Sequence, residues 1–158
     1  MLITITVTIV SFNSCCDHKV KENKEIVIVP TFNLEIAKTE IEAANNEFEV
    51  LFSAADSIGV ANLYTQDAKF MNNGAPAVTG IKNIQTTLSG IMKSGISSVN
   101  LQTIEVWGKE NLITEEGELF LYVNEDIVYQ GKYIVLWKKV DGKWKFFRDI
   151  FNSNLPTE

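Results

Sequence analysis

The chain has 158 residues, 46% of them apolar, which is enough for one domain with a sizeable core. Its 14 lysines and arginines stand against 20 aspartates and glutamates, so the net charge is -6. Sequence-independent binding of nucleic acid needs a clustered basic surface. The composition therefore disfavours a nucleic-acid partner.

The first 16 residues differ from the rest because they carry no charged side chain. The apolar run from Leu2 to Phe12 is too short to cross a bilayer of ~30 Å as a helix, but it fits the core of a secretory signal. A small residue before Cys15-Cys16 resembles the cleavage site of a bacterial lipoprotein. We expect residues 1–16 to be a lipoprotein-type signal segment, with Cys15 or Cys16 lipidated, and residues 17–33 to be a tether. The protein would then be exported and would contact the membrane only through its lipid.

Alternatives for this segment stay open. No lysine or arginine precedes the apolar run, and Ile3, Ile5, Val7 and Ile9 alternate with threonines as they would in a buried strand. The cysteines could also be reduced thiols or join a disulfide, although adjacent cysteines rarely bridge each other and no third cysteine is present for a metal site. The single histidine, His18, falls in the tether. Catalysis that requires a histidine inside the domain is therefore excluded.

Helical spacing of apolar residues follows the tether. It predicts a long helix over about 34–55 with Asn33 as its N-cap, and a shorter helix capped by Asp56 that ends near 66–67. The apolar positions of the long helix are Ala37, Ile41, Ala44, Phe48, Leu51, Phe52 and Ala55. A third helix is expected over about 80–95. All three precede most of the strands.

Residues 68–72 predict one strand, and after Ser97 the pattern becomes that of a meander. Its Asp141-Gly142 pair between β-prone runs is a strong hairpin signal, because both residues tolerate positive φ. The meander strands are expected at about 98–107, 111–124, 128–140 and 143–152. Helices first and a meander afterwards indicate an α+β domain over 34–158, with the helices on one face of the sheet.

Both faces of the last hairpin are apolar. Tyr133, Val135 and Trp137 alternate with Ile134 and Leu136, whereas a half-solvated strand would carry polar residues at every second position. Helices can cover only one face. We therefore expect a homodimer that covers the outer face of the sheet.

Several short motifs together resemble the SnoaL-like and DUF4440 branch of the NTF2-like superfamily over roughly residues 35–156. They are Leu63-Tyr64-Thr65-Gln66-Asp67-Ala68, Gly74-Ala75-Pro76, Gly80-Ile81, Gly131-Lys132-Tyr133, Trp137-Lys138, Asp141-Gly142-Lys143-Trp144-Lys145, Asp149 and Asn152-Ser153. The resemblance implies a cystatin-like cone, in which three N-terminal helices pack on a strongly curved mixed or antiparallel sheet and leave a deep pocket. The superfamily includes ketosteroid isomerases, polyketide cyclases, dehydratases and small-molecule binders, so fold alone does not determine activity.

The isomerase chemistry of this superfamily needs a carboxylate base and hydrogen-bond donors in an apolar pocket, without histidine, metal or cofactor. Asp149 is the candidate catalytic base, because a carboxylate within an aromatic strand is costly to bury and has a raised pKa. The candidate pocket residues are the donors Tyr64, Tyr122 and Tyr133, the amides Asn72 and Asn152, and the apolar wall Phe70, Trp107, Phe120 and Trp137.

Structural interpretations compete with these assignments. Asp149 and Arg148 could each form strand-end ion pairs, and we favour that role slightly over catalysis. Tyr133 and Trp137 could be ordinary core residues, and Asp67 would cap the turn after the short helix. The acidic cluster Glu115, Glu116 and Glu118 is expected to be a solvated hairpin without the converging partners of a metal site.

Three functions are compatible with the sequence. The first is a lipid-anchored domain that binds a small apolar or amphipathic molecule in its cone. The second is an isomerase, cyclase or dehydratase with Asp149 as base. The third is a dimeric interaction module that uses the outer face of the sheet. None of them calls for a cofactor.

Overall fold

The computed structural model describes residues 31–155. The expected signal segment and nearly all of the tether lie outside this range. Within it, no helix is long and apolar enough to cross a membrane.

Two of the three helices begin at the side-chain caps that the sequence predicts, and the third begins after a glycine. Asn33 accepts hydrogen bonds from the backbone of residues 35 and 36 at the start of α1 (Leu34–Ser53), as an N-cap does. Asp56 caps α2 (Ser57–Asn62) through the amide of Gly59. The third helix, α3 (Ile81–Lys93), follows Gly80, whose φ of 83° places it in the left-handed region that favours glycine.

The strands form one six-stranded mixed sheet. They are β1 (Tyr64–Met71), β2 (Val78–Thr79), β3 (Ser98–Lys109), β4 (Leu112–Val123), β5 (Asp126–Val140) and β6 (Lys143–Ser153). Their order in the sheet is β2-β1-β6-β5-β4-β3. Neighbouring strands are antiparallel except for β1 and β6, which are parallel. The α+β class and the C-terminal meander are as predicted.

Two parts of the arrangement differ from the prediction. The chain is extended from Tyr64 onward, where the sequence pattern continued a helix to about residue 67. Tyr64 instead pairs with Phe146 of β6, a contact between residues far apart in sequence that a local pattern cannot reveal. Asp67 accordingly caps no helix: it lies exposed in β1, where its carboxylate accepts a hydrogen bond from Thr65. The second difference is β2, a two-residue strand against β1 that the sequence did not predict.

The closing hairpin has the turn that Asp141-Gly142 predicts. Both residues have positive φ, at 51° and 78°, and the flanking residues Val140 and Lys143 are paired. This geometry matches the twist of two antiparallel strands. The hairpin therefore follows from its local sequence.

We call the sheet face against α1 and α3 the inner face, and the opposite one the outer face. A β-bulge in β6 decides which side chains reach the inner face. Trp137 pairs with Phe146 and Leu136 pairs with Arg148, so Phe147 is an extra residue. Strict alternation after Phe146 would turn Arg148 inward; the bulge turns Asp149 inward instead, and Asp149 is buried.

A buried glycine makes room for Tyr133. Gly117 of β4 pairs with Tyr133 of β5, and a Cβ atom at position 117 would collide with the tyrosine ring. Because the ring lies over the glycine, its hydroxyl reaches the carboxylate of Glu115 at 2.7 Å. Gly117 thus positions a polar group of the inner face.

We expect Gly117→Ala to lower the free energy of unfolding by about 1–3 kcal/mol, because the new methyl group forces the Tyr133 ring to move. Gly90→Ala is the matched control: Gly90 lies exposed in α3 with no heavy atom within 4 Å of the new Cβ. The control should raise stability by about 0.4–1 kcal/mol. Urea unfolding of both variants measures the difference. Stabilisation by both substitutions would contradict the position of Tyr133.

Candidate functional site

An apolar cavity of about 60 Å³ lies between the inner face and the helices α1 and α3. The helices contribute Phe48, Phe52, Leu88 and Ile91 to its wall. The sheet contributes Phe70, Val99, Leu101, Leu119, Leu121, Tyr133, Val135, Phe146, Asp149 and Phe151. Asp149 is the one ionisable carboxyl among these lining residues.

Asp149 is paired with a tyrosine hydroxyl. Tyr64 donates a hydrogen bond of 2.6 Å to Oδ2 of Asp149, and both residues are buried. Burial raises the pKa of the Asp149 carboxyl from 3.8 to about 6, against the lowering effect of the Tyr64 hydrogen bond, and the charge of Glu115 raises it further. Burial and then the neighbouring carboxylate raise the pKa of Tyr64 well above its usual value. Tyr64 therefore remains a proton donor while Asp149 titrates near neutral pH.

Glu115 is the second buried carboxylate of the inner face, with no exposed surface. Four side chains donate to it: Asn45 at 2.7 Å, Thr103 at 2.7 Å and Tyr133 at 2.7 Å to Oε1, and Trp137 at 2.8 Å to Oε2. Charge-assisted hydrogen bonds of this kind offset the loss of water around a buried carboxylate. Burial raises the pKa of the Tyr133 hydroxyl, and the charge of Glu115 raises it further.

The two carboxylates lie in one row across the sheet. Glu115 of β4 pairs with Val135 of β5, and Val135 pairs with Asp149 of β6. Two strand spacings separate the carboxylate-bearing backbones, about 10 Å. At this distance inside an apolar layer, the two charges repel each other appreciably.

Four of the proposed site residues lie at the cavity or in the hydrogen-bonded pair of Asp149 and Tyr64. Tyr133, Phe70 and Asp149 line the cavity, and Tyr64 donates to Asp149. Trp137 is fully buried beside Phe146, with ring centroids 4.1 Å apart, but it contacts Glu115 rather than the cavity.

The other proposed pocket residues do not line the cavity. Phe120 and Tyr122 alternate along β4 with the lining residues Leu119 and Leu121, so they point to the opposite face. Trp107 follows the buried Val106 on β3 and is 40% exposed, so it also points away from the cavity. Asn152 points away for the same reason, because it follows the lining residue Phe151 on β6. Asn72 lies beyond the end of β1, and its buried Oδ1 has no partner within residues 31–155.

Two structural interpretations of the sequence are wrong. Asp149 takes part in no ion pair of the described residues, because it is buried on the inner face, where Tyr64 donates to it. Arg148 instead lies over the Phe147 ring and donates to backbone carbonyls.

The second wrong interpretation concerns Glu115, which is buried and not part of a solvated hairpin. Its period-2 position among Ile113, Gly117, Leu119 and Leu121 was the signal that could have revealed this. For a metal ion, residues 31–155 offer no group of three or more histidine, cysteine, aspartate or glutamate side chains.

The fold is shared with known structures. A domain of unknown function with a cystatin-like fold from Nostoc punctiforme is 11% identical, with a TM-score of 0.69 over 78% of this chain and 81% of that one. A ketosteroid isomerase-like protein from Erwinia carotovora atroseptica is 21% identical, with a TM-score of 0.64 over 79% and 100%. A protein from Novosphingobium aromaticivorans that bears the name scytalone dehydratase is 17% identical, with a TM-score of 0.62 over 78% of this chain and 87% of that one. Neither a family model nor a curated protein matches the sequence.

Identities this low establish the fold alone. The chain has the NTF2-like, cystatin-like α+β fold, as the sequence resemblance implied.

We expect Asp149→Asn to remove a pH dependence of stability. The pKa of Asp149 is higher in the folded than in the unfolded chain, so the folded state holds its proton more tightly. As the pH rises from about 4 to 6, the free energy of unfolding of the wild type should therefore fall by about 3 kcal/mol relative to that of the asparagine variant. Chemical denaturation of both proteins between pH 3.5 and 7.5 measures the difference.

Asp67→Asn is the matched control. The hydrogen bond from Thr65 lowers the pKa of this exposed carboxyl, so its contribution is lost as the pH falls. The stability difference from wild type must then change with pH in the opposite direction. A pH-independent difference for Asp149→Asn would show that Asp149 titrates as an ordinary aspartate.

Proposed function

We propose that this domain binds a small, mainly apolar molecule in the inner-face cavity, with the Asp149–Tyr64 pair as its polar anchor. The observation that carries the proposal is a carboxyl with a near-neutral pKa on the wall of an otherwise apolar cavity. Tyr64 occupies only Oδ2. Below pH ~6 the neutral carboxyl can donate to a ligand oxygen, and above that pH it can only accept.

The size of the cavity limits the ligand. Pockets for drug-sized molecules enclose roughly 300–1,000 Å³, whereas this cavity encloses about 60 Å³. The space therefore suits a molecule of few heavy atoms, or one apolar group of a larger molecule. A ligand as large as a steroid would need the helices or side chains to move.

A second candidate is an enzyme of isomerase, cyclase or dehydratase type, in the SnoaL-like and DUF4440 branch that the motifs resemble. The pKa of Asp149 favours this function, since a general base works best when its pKa is near the working pH. The base would take a proton from the carbon beside a carbonyl, and the C–H electrons would move to the carbonyl oxygen as an enolate.

The tyrosine hydroxyls at the cavity already donate to carboxylates, and for this reason we rank ligand binding above catalysis. The enolate oxygen needs a donor in the cavity. The Tyr64 hydroxyl already donates to Asp149, and the Tyr133 hydroxyl already donates to Glu115. An enzyme of this type would have to release one of these two bonds.

Export and lipidation form a separate proposal. It rests on the apolar run before Cys15-Cys16 and concerns residues outside the described range. The protein would be anchored through Cys15 or Cys16 and face the periplasm or the outside of the cell. The intact mass of the mature protein from a bacterial host tests it, because an unprocessed, unmodified chain would contradict it.

Cyclopentanone is a suitable probe of the cavity, since it is small, apolar and carries one carbonyl acceptor. We expect wild-type protein to bind it more tightly at pH 5 than at pH 8, because only the protonated Asp149 can donate to it. Leu101→Trp should abolish binding by filling the cavity from its wall. Ile104→Trp is the control on the same strand, because Ile104 is exposed. Protein NMR shifts measure binding, and equal shifts in both tryptophan variants would contradict the proposed site.

The same samples in D₂O separate binding from catalysis. An enzyme would exchange the hydrogens beside the carbonyl for deuterium faster than buffer does, and Asp149→Asn would remove the acceleration. Binding without exchange supports the first function and contradicts the second.

A further inference from the structure

Two buried polar atoms close to the cavity have no hydrogen-bond partner within residues 31–155. They are the hydroxyl oxygen of Tyr129 and Oδ1 of Asn72. A third such atom, Oδ1 of Asn45, lies in the Glu115 network, away from them. Buried polar groups in native proteins are almost always paired, and an unpaired one costs free energy. Unpaired groups beside a cavity therefore indicate a place where a ligand completes the hydrogen bonds.

Tyr129 lies at the edge of the cavity wall, on the inner face of β5. Its register partner on β4 is the lining residue Leu121. Its ring packs edge-on against the lining residue Phe151, with ring centroids 6.1 Å apart. A Cβ atom at position 131 would come within 2.7 Å of the Tyr129 ring, so Gly131 lets this ring lie back along the strand. The glycine thereby brings the Tyr129 hydroxyl toward Phe151.

The Tyr129 hydroxyl is available as a donor. Burial raises its pKa, and the nearby Ser153 hydroxyl opposes this shift, so the tyrosine keeps its proton at neutral pH. Ser153 is already engaged, because its Oγ accepts a hydrogen bond of 2.9 Å from the backbone amide of Leu155. In the part of the chain that the structure describes, the Tyr129 hydroxyl forms no hydrogen bond.

Asn72 lies on the other side of Phe151. The register of β1 with β6 ends at Met71, so the next residue along β1 falls beside Phe151. Two residues earlier, Phe70 lines the cavity and packs on Phe151 with ring centroids 5.6 Å apart. Across the sheet, two strand spacings separate the backbones of Tyr129 and Asn72, about 10 Å. Phe151 therefore has an unpaired donor on one side and an unpaired acceptor on the other.

We propose that Tyr129 and Asn72 bind the carboxamide group of a ligand whose apolar part occupies the cavity. This inference rests on the proposed binding function and names the class of its ligand. A carboxamide oxygen accepts from Tyr129, and the N–H on the opposite side of the same planar group donates to Asn72. A single hydroxyl is too short to bond both side chains. A carboxylate lacks the donor, and its oxygen would face another acceptor, Oδ1 of Asn72.

The position of Asp149 limits the length of the ligand. Asp149 pairs with Phe70, and Asn72 lies two residues farther along β1, so about 7 Å of strand separates the two polar positions. A ligand with about two carbon atoms between its carboxamide and an oxygen that meets Asp149 fits this distance. The compound 4-oxopentanamide has this form, with a ketone at one end and a carboxamide at the other.

The test compares three probes of similar size in the full chain at pH 5. The first is 4-oxopentanamide, the second is methyl 4-oxopentanoate, which has the acceptor but no N–H donor, and the third is 2-hexanone, which has neither. Protein NMR shifts give the dissociation constants. Tyr129→Phe should weaken binding of the amide and the ester by about 3- to 10-fold relative to 2-hexanone. Asn72→Ala should weaken the amide by a similar factor relative to the ester.

Two control variants make the same chemical changes on the opposite face of the sheet. Tyr122→Phe on β4 and Asn152→Ala on β6 alter side chains that point away from the cavity. Neither control should change the ratios between the three dissociation constants. Equal effects of Tyr122→Phe and Tyr129→Phe on these ratios would contradict the assigned site.

A measurement without ligand tests the unpaired hydroxyl itself. Removal of an unpaired buried hydroxyl should leave the urea midpoint of unfolding unchanged or raise it. Tyr133→Phe is the comparison, because it removes a donor to Glu115 and should lower the midpoint. A lower midpoint for Tyr129→Phe as well would show that its hydroxyl is bonded inside the protein, and would overturn the proposal.

The binding data separate this inference from the proposed function. If 2-hexanone binds in the cavity but Tyr129→Phe leaves all three ratios at their wild-type values, the carboxamide site is wrong and the cavity function stands. If not even 2-hexanone binds, the proposed function fails, and the carboxamide site fails with it.

Discussion

A carboxylate stays inside an apolar layer only if other groups replace the water that it loses. Two carboxylates of this domain face that requirement, and they meet it differently. Glu115 receives four hydrogen bonds, whereas Asp149 receives one from Tyr64 within the described residues. Burial raises the pKa of Asp149, the Tyr64 hydrogen bond opposes this shift only in part, and the chemistry available in the cavity depends on the result.

Local backbone features set up this difference. The bulge at Phe147 turns Asp149 rather than Arg148 toward the helices. Gly117 lets the Tyr133 ring lie across β4, where the tyrosine hydroxyl donates a hydrogen bond to Glu115. The parallel pairing of β1 with β6 brings Tyr64 to Asp149. The bulge, the glycine and the long-range pairing of β1 with β6 therefore place a single carboxyl, that of Asp149, among the cavity-lining residues.

Sequence alone predicted the features that depend on neighbouring residues. The caps at Asn33 and Asp56 and the turn at Asp141-Gly142 are local, and they lie where expected. The resemblance to NTF2-like proteins gave the fold, although a narrower branch of that superfamily is still a proposal.

The failures have physical causes. The β6 residues Phe146, Phe147 and Arg148 fit an alternating strand or a bulge equally well, so the orientation of Asp149 depends on pairing with β5. Glu115 was grouped with its charged neighbours, although alternation with Ile113 and Gly117 placed it inward. The helical pattern around Tyr64 was overridden by a strand about 80 residues later in the chain.

Everything proposed for the cavity depends on Asp149 being a buried carboxyl, whose pKa burial raises to about 6 against the opposing hydrogen bond from Tyr64. A ¹³C NMR titration of protein labelled at the aspartate carboxyl carbons measures this directly, with Asp149→Asn used only to assign the resonance. We expect the Asp149 signal to titrate with a midpoint near pH 6. A midpoint near the ordinary value of 3.8 would contradict the account.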